Sequence, residues 1–203
     1  NIYLNLVDKL INRMRGIPED VRIVRYADDF VLMGRKITAR VIRKLHEVLE
    51  RMELSVNAEK TRIVNAAEES FDFLGFTFHK RWSRTHRGVK YYHVQASMKA
   101  MKAVRANIKD YLKSNLHQGK KVVIRNLNWK VRGWLAYFVM PGTTQSWKAA
   151  DMLKGYLKES LYRYYRRKSQ RYNTRKIQNA FYVWRKSGLI DPMQYCKAVT
   201  PKA

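Results

Sequence analysis

Apolar residues recur every four positions at the start of the chain, at Ile2, Leu6, Leu10 and Met14, which predicts a helix over residues 1–15. Gly16, Pro18 and Asp20 end it. Val21-Arg22-Ile23-Val24-Arg25-Tyr26 then reads as a strand by its β-branched content, and Phe30-Val31-Leu32-Met33 as a second. Only Ala27-Asp28-Asp29 separates them, so a hairpin is expected. Ile37, Val41, Leu45, Val48, Leu49 and Met52 put one apolar face on a helix over residues 37–52. A short strand is expected at Thr61–Val64. Residues 71–78 and 89–95 read as further strands, joined across the polar, glycine-containing turn Ser83–Gly88.

From about Ser97 the period becomes helical throughout. Met101, Val104, Ile108, Leu112 and Leu116 mark one helix, and Ile124, Leu127, Val131, Trp134, Leu135 and Phe138 a second. Trp147, Ala150, Leu153, Leu157, Leu161 and Tyr164 mark a third, and Ile177, Phe181 and Trp184 a short fourth. Trp129 and Trp134 are expected to brace helix packing. The predicted class is α+β: antiparallel hairpin strands with helices over residues 1–96, then an all-α region over 97–203.

Charge sharpens that division. Residues 1–78 hold 13 Lys and Arg against 12 Asp and Glu, a net of +1. The remainder holds 42 − 13 = 29 basic and 16 − 12 = 4 acidic residues, a net of +25. A surface so one-sided repels itself unless it meets a polyanion, which makes nucleic acid the first partner to consider. Within this region Tyr162-Arg163-Tyr164-Tyr165-Arg166-Arg167-Lys168 and then Arg171-Tyr172 interleave cations with rings. Cations neutralise phosphates, and tyrosine and arginine stack on exposed bases. Tyr165, Arg166, Arg167 and Lys168 are therefore taken as RNA contacts. Trp134, Phe138, Leu157 and Leu161 fall on apolar stripes and are taken as core.

No stretch approaches the roughly 18 apolar residues of a membrane span, and no secretory signal is evident. The single cysteine, Cys196, suits a reducing compartment. A cytoplasmic (bacterial) or organellar location, not a secreted one, and no membrane partner are expected. The chain begins at Asn1 inside a helical pattern, so it is expected to be a piece of a longer protein.

The sharpest chemical feature is Asp28-Asp29 between two apolar strands. Side chains alternate along a strand, so neighbouring carboxylates converge more easily at a tight turn. Two adjacent acids repel, and a divalent cation relieves that. Mg²⁺ takes oxygen ligands and keeps water and substrate phosphate. Two such ions about 4 Å apart stabilise both the attacking and the leaving oxygen of nucleotidyl transfer. An ordinary Asp-Asp hairpin turn is the plain alternative.

The wider sequence resembles group II intron reverse transcriptases and maturases along essentially its whole length. Asn1-Ile2-Tyr3-Leu4-Asn5 with Asp8 looks like the helix before the catalytic hairpin, and Arg25-Tyr26-Ala27-Asp28-Asp29-Phe30 like the polymerase active-site motif. Leu54-Ser55-Val56-Asn57-Ala58-Glu59-Lys60-Thr61 resembles the family's Leu-Asn-x-x-Lys-Thr segment, and Phe73-Leu74-Gly75-Phe76 its primer grip. Arg132-Gly133-Trp134-Leu135-Ala136-Tyr137-Phe138 is similar to the signature of its thumb. Each motif is moderately specific alone; their order and spacing together are strongly so.

The resemblance implies a partial polymerase palm followed by a helical thumb or maturase domain. It implies Asp28 as a metal ligand of a two-Mg²⁺ centre, with Asp29 as its partner. Lys60 either approaches the incoming nucleotide's phosphates as a proton donor to pyrophosphate or is a surface lysine. Tyr26, Leu74 and Gly75 are implied primer contacts, and a strand bulge at Gly75 is the plain reading, compatible with that role. Arg132 faces the template–primer duplex or forms a structural ion pair. RNA template, DNA primer, dNTP and intron RNA are the implied partners. The family's metal site takes a further aspartate from a strand not found here, so the chain alone is expected to be inactive unless a missing N-terminal segment or a second copy supplies it. A domesticated or CRISPR-associated reverse transcriptase and a non-catalytic RNA-binding maturase are the rival readings. The histidines are scattered in sequence, and no metal site is expected from them.

Overall fold

A computed structural model describes residues 2–13, 18, 20–83, 87–168 and 179–200. Met14, His86, Arg171, Tyr172 and Ile177, which entered the expectations above, lie outside the described residues. The chain is α+β, with two small antiparallel sheets among the described residues, and it divides into two compact units, residues 1–63 and 64–203. No described helix is long and apolar enough to cross a membrane.

In the first unit, α1 spans Ile2–Arg13 and is followed by β1 (Arg22–Tyr26), β2 (Asp29–Met33) and α2 (Ala39–Glu50). Thr38 caps α2, its side chain accepting the Val41 N–H. The four-residue period of α2 then buries Val41, Leu45, Val48 and Leu49. Leu45, Val48 and Leu49 pack with Val7 of α1, Ile23 of β1 and Met52, against which Phe30, Leu32, Leu54 and Val56 lie half-buried. The hairpin loop is shorter than expected: Tyr26 pairs with Asp29, so only Ala27 and Asp28 turn. The expected strand at Thr61–Val64 is absent. Among the described residues no strand pairs with it, and Ile63 is 74% exposed. β-branched content does not hold an extended segment without a ladder partner.

The second unit opens with β3 (Phe71–Phe73), β4 (Phe76–Trp82) and β5 (Lys90–Ala96), an antiparallel sheet in that order. Residues 71–78 are thus two strands rather than one, because Leu74-Gly75 turns the chain and Phe73 pairs with Phe76. Among the described residues five helices follow: α3 (Met98–Ser114), α4 (Lys120–Phe138), α5 (Ser146–Lys168), α6 (Ala180–Lys186) and α7 (Pro192–Val199). The last was not anticipated, although Asp191 caps it and Pro192 opens it, a standard start signal. Ile108, Leu127, Leu135, Leu153, Leu157, Leu161, Phe181 and Trp184 form one continuous core.

Two tryptophans depart from their expected places. Trp129 is 67% exposed and Trp147 57%. Each stands beside the buried stripe of its helix, not on it: Leu127 and Val131 flank Trp129, and Ser146, Ala149 and Ala150 face inward around Trp147. Trp134 does pack against the core, with its ring 4.8 Å from that of Phe138.

Candidate functional site

The carboxylate pair sits where β1 becomes β2. Ala27 has φ 55°, a left-handed conformation that a residue with a Cβ seldom adopts. A two-residue hairpin requires positive φ in its loop so that the turn matches the twist of the strands. The conformation places Asp28 at the tip and Asp29 at the first paired position of β2. Both acids are exposed, and neither forms an ion pair among the described residues. Tyr26 pairs across from Asp29 and is 67% exposed, so ring and carboxylate share the solvent face of the hairpin.

Arg25 alternates to the other face. Its Nε donates to Asp8 Oδ1 and Oδ2, each at 3.1 Å, and its Nη2 to Asp8 Oδ2 at 2.7 Å. Nη1 donates to the Ala27 carbonyl at 2.8 Å. The bond from Asp8 holds the Arg25 guanidinium above its ordinary range. One planar fork thereby ties α1 to the loop that carries Asp28.

Lys60 closes a separate turn. Asn57 Oδ1 accepts the backbone N–H groups of Glu59 at 3.1 Å and of Lys60 at 3.2 Å, which leaves the Lys60 side chain exposed. Leu74 (φ 50°) and Gly75 (φ 77°) form the tight β3–β4 loop. The Leu74 carbonyl accepts from the Tyr137 hydroxyl at 3.1 Å, and the Gly75 carbonyl from the Ser97 N–H at 2.8 Å. A Cβ on Gly75 would lie 3.2 Å from the Phe138 ring, so glycine answers both a left-handed backbone and a close helix. Gly75 stands in a turn, not in the expected strand bulge.

The basic residues of α4 and α5 are placed differently from one another. Arg132 is exposed and, among the described residues, in no ion pair. Tyr165 is half-buried against the core, and its hydroxyl accepts from Trp184 Nε1 at 2.6 Å. Arg166 lies over the Tyr162 ring at 5.8 Å. Lys168 donates to the Gln118 carbonyl and to the Tyr164 hydroxyl, closing the end of α5 on the α3–α4 connection. Arg167, with Lys109, Lys113 and Arg163, lines a cleft between α3 and α5 floored by Leu112, Tyr156 and Tyr164.

Residues 1–78 match the family described as reverse transcriptase (RNA-dependent DNA polymerase), and residues 101–182 match the group II intron maturase-specific domain. The chain belongs to the group II intron reverse transcriptase and maturase family. A search of curated proteins finds no match.

The first match ends in β4 and the second runs from α3 into α6. Asp28, Asp29 and Lys60 fall in the reverse transcriptase match, as do Leu74 and Gly75. Among the described residues no third His, Cys, Asp or Glu joins the carboxylate pair. The donors fit a hard cation in kind, since they are exposed carboxylate oxygens with no ion pair among the described residues. The tie between Arg25 and Asp8 escaped the sequence reading. Its signal was a charge on the inward face of a strand, beside Ile23, where an unpartnered guanidinium is costly. The histidines are not all scattered: His79 and His93 pair across β4 and β5 and stack at 5.1 Å. Burial, then Arg81, His93 and Lys148, pushes His79 below its usual pKa.

Proposed function

We propose that this chain supplies the carboxylate turn and the helical nucleic-acid grip of a group II intron reverse transcriptase, which copies RNA into DNA and also binds its intron RNA. The observation that carries the proposal is the exposed Asp28-Asp29 pair on a hairpin whose loop is held by Arg25. When bound there, Mg²⁺ would lower the charge of the triphosphate and activate the primer hydroxyl. Asp28, at the tip, is the first carboxylate such a cation would meet, and Asp29 the second. The primer's 3′ oxygen would attack the α-phosphorus of a dNTP, with pyrophosphate leaving. Lys60, exposed after its turn, would donate a proton to the pyrophosphate oxygen. The Leu74-Gly75 loop would support the primer backbone. Arg132, Arg166 and Arg167 would neutralise phosphates of the bound nucleic acid, with Tyr165 and Lys168 shaping that surface. The division expected at residue 96 would then separate palm from thumb in function, although the compact units divide after Ile63.

The test is primer extension on an RNA template with Mg²⁺ and dNTPs. It compares the chain alone with the chain supplied with a palm polypeptide of the family that carries the further aspartate. Extension is expected only in the second case and is lost with Asp28→Asn. Extension that survives Asp28→Asn would sink the metal-ligand role. No extension in either case, with tight intron RNA binding, would favour a non-catalytic maturase.

A further inference from the structure

The β4–β5 ribbon changes character along one face. Near its base Phe76 packs on Tyr137 and Phe138, with ring centroids 5.5 and 5.0 Å away, and Phe78 stacks on Phe71 at 5.1 Å. Two residues further, on the same face, Lys80 pairs with Tyr92, and two beyond that Trp82 pairs with Lys90. There the packing stops. Trp82 is 61% exposed and Tyr92 46%. Lys90 Nζ lies 4.4 Å from the Trp82 ring centre and Lys80 Nζ 5.6 Å from that of Tyr92. Each ring thus has an ammonium over it, while much of its surface stays open to water.

We propose that Trp82 and Tyr92, with Lys80 and Lys90, form a docking platform for single-stranded RNA at the far end of the ribbon, apart from the primer-grip loop at its base. This rests on the reading that the chain handles RNA. Diagonal neighbours on one face of an antiparallel pair lie about 7–8 Å apart, which suits two successive splayed bases, one on each ring. Stacked duplex bases, about 3.4 Å apart, do not offer such faces. The charge points the same way: residues 79–96 contain Lys80, Arg81, Arg84, Arg87 and Lys90 and no Asp or Glu. A polyanion is the complementary partner, and exposed rings beside cations suit its bases where they are unpaired.

A purely structural role for these pairs would be to steady the ribbon, and the experiment separates the two. Binding of an unstructured RNA of about 15 nucleotides is measured by fluorescence anisotropy in about 0.2 M salt, where phosphate contacts are weakened. Trp82→Ala and Tyr92→Ala are each expected to weaken binding about 5- to 100-fold, with circular dichroism unchanged. Trp82→Phe, which keeps a stacking face, should recover most of the loss. The same substitutions should change affinity for a perfect RNA duplex about 2-fold or less. Unchanged single-strand affinity in both alanine variants would overturn the proposal. Tighter binding of a DNA strand of equal length, with the same losses, would reassign the platform and overturn the RNA assignment. Should Trp82→Ala unfold the ribbon, ultraviolet crosslinking of the unmodified chain to RNA decides: adducts at Trp82 or Tyr92 support the platform, and adducts confined to α3–α7 refute it.

Discussion

Arg25 and Asp8 are joined through three hydrogen bonds, and the same guanidinium donates a fourth to the carbonyl of Ala27. The loop that presents Asp28 is therefore tied to α1 by a rigid fork and does not depend on the two strands alone. An ammonium on a flexible stem cannot reproduce both contacts.

Arg25→Lys should accordingly keep the fold and misplace the loop. In an active assembly the turnover rate is expected to fall about 100-fold with little change in dNTP KM, the behaviour of a positioning defect. Asp8→Asn should fall in the same direction by less. Steady-state primer extension on both variants checks this, and an unchanged rate in Arg25→Lys would remove the fork from the account.

Glycine substitutions should split in sign. Gly75 has φ 77°, and a Cβ there would press on Phe138 at 3.2 Å, so Gly75→Ala should destabilise the second unit by about 1–3 kcal/mol. Gly133 sits inside α4 with nothing within 4 Å of a Cβ, so Gly133→Ala should stabilise by about 0.5–1 kcal/mol. Urea unfolding followed by tryptophan fluorescence measures both.

The buried carboxylate of Asp191 sets an acid limit. Its side chain is 1% exposed and accepts from Lys154 Nζ at 2.9 Å, Arg185 Nη1 at 3.2 Å and the Met193 N–H at 3.0 Å. Burial alone would raise its pKa, but these donors outweigh burial and hold it below the usual carboxylate range. A depressed native pKa adds stability that is complete above the unfolded value, about 3.9, and is lost as pH falls through the native value. Asp191→Asn should cost about 1–3 kcal/mol at neutral pH and flatten the loss below about pH 4. Thermal melts across that range test it.

Nucleic-acid affinity should be strongly salt-dependent. If Arg166 and Arg167 each neutralise one phosphate, the double Arg→Gln variant should reduce the slope of log K against log salt by about 1.4 for a single strand. Titrations at several salt concentrations measure the slope, and an unchanged slope would return both residues to the solvated surface.

The sequence by itself determined the α+β class, the carboxylate hairpin, the principal helices and the family. These depend on local periods and turn residues: the apolar face of α2, the strands around Ala27-Asp28, and the stripes of α3, α4 and α5 are written in neighbouring positions. Tertiary structure decided what those patterns leave open. Thr61–Val64 has strand-like residues, but a strand exists only with a ladder partner. Trp129 and Trp147 are large and apolar, but a shift of one or two positions around a helix carries them from core to solvent. Asp8, Trp184 and Lys154, which bond Arg25, Tyr165 and Asp191, lie 17, 19 and 37 residues from them in sequence, and only the folded chain brings them within hydrogen-bonding distance.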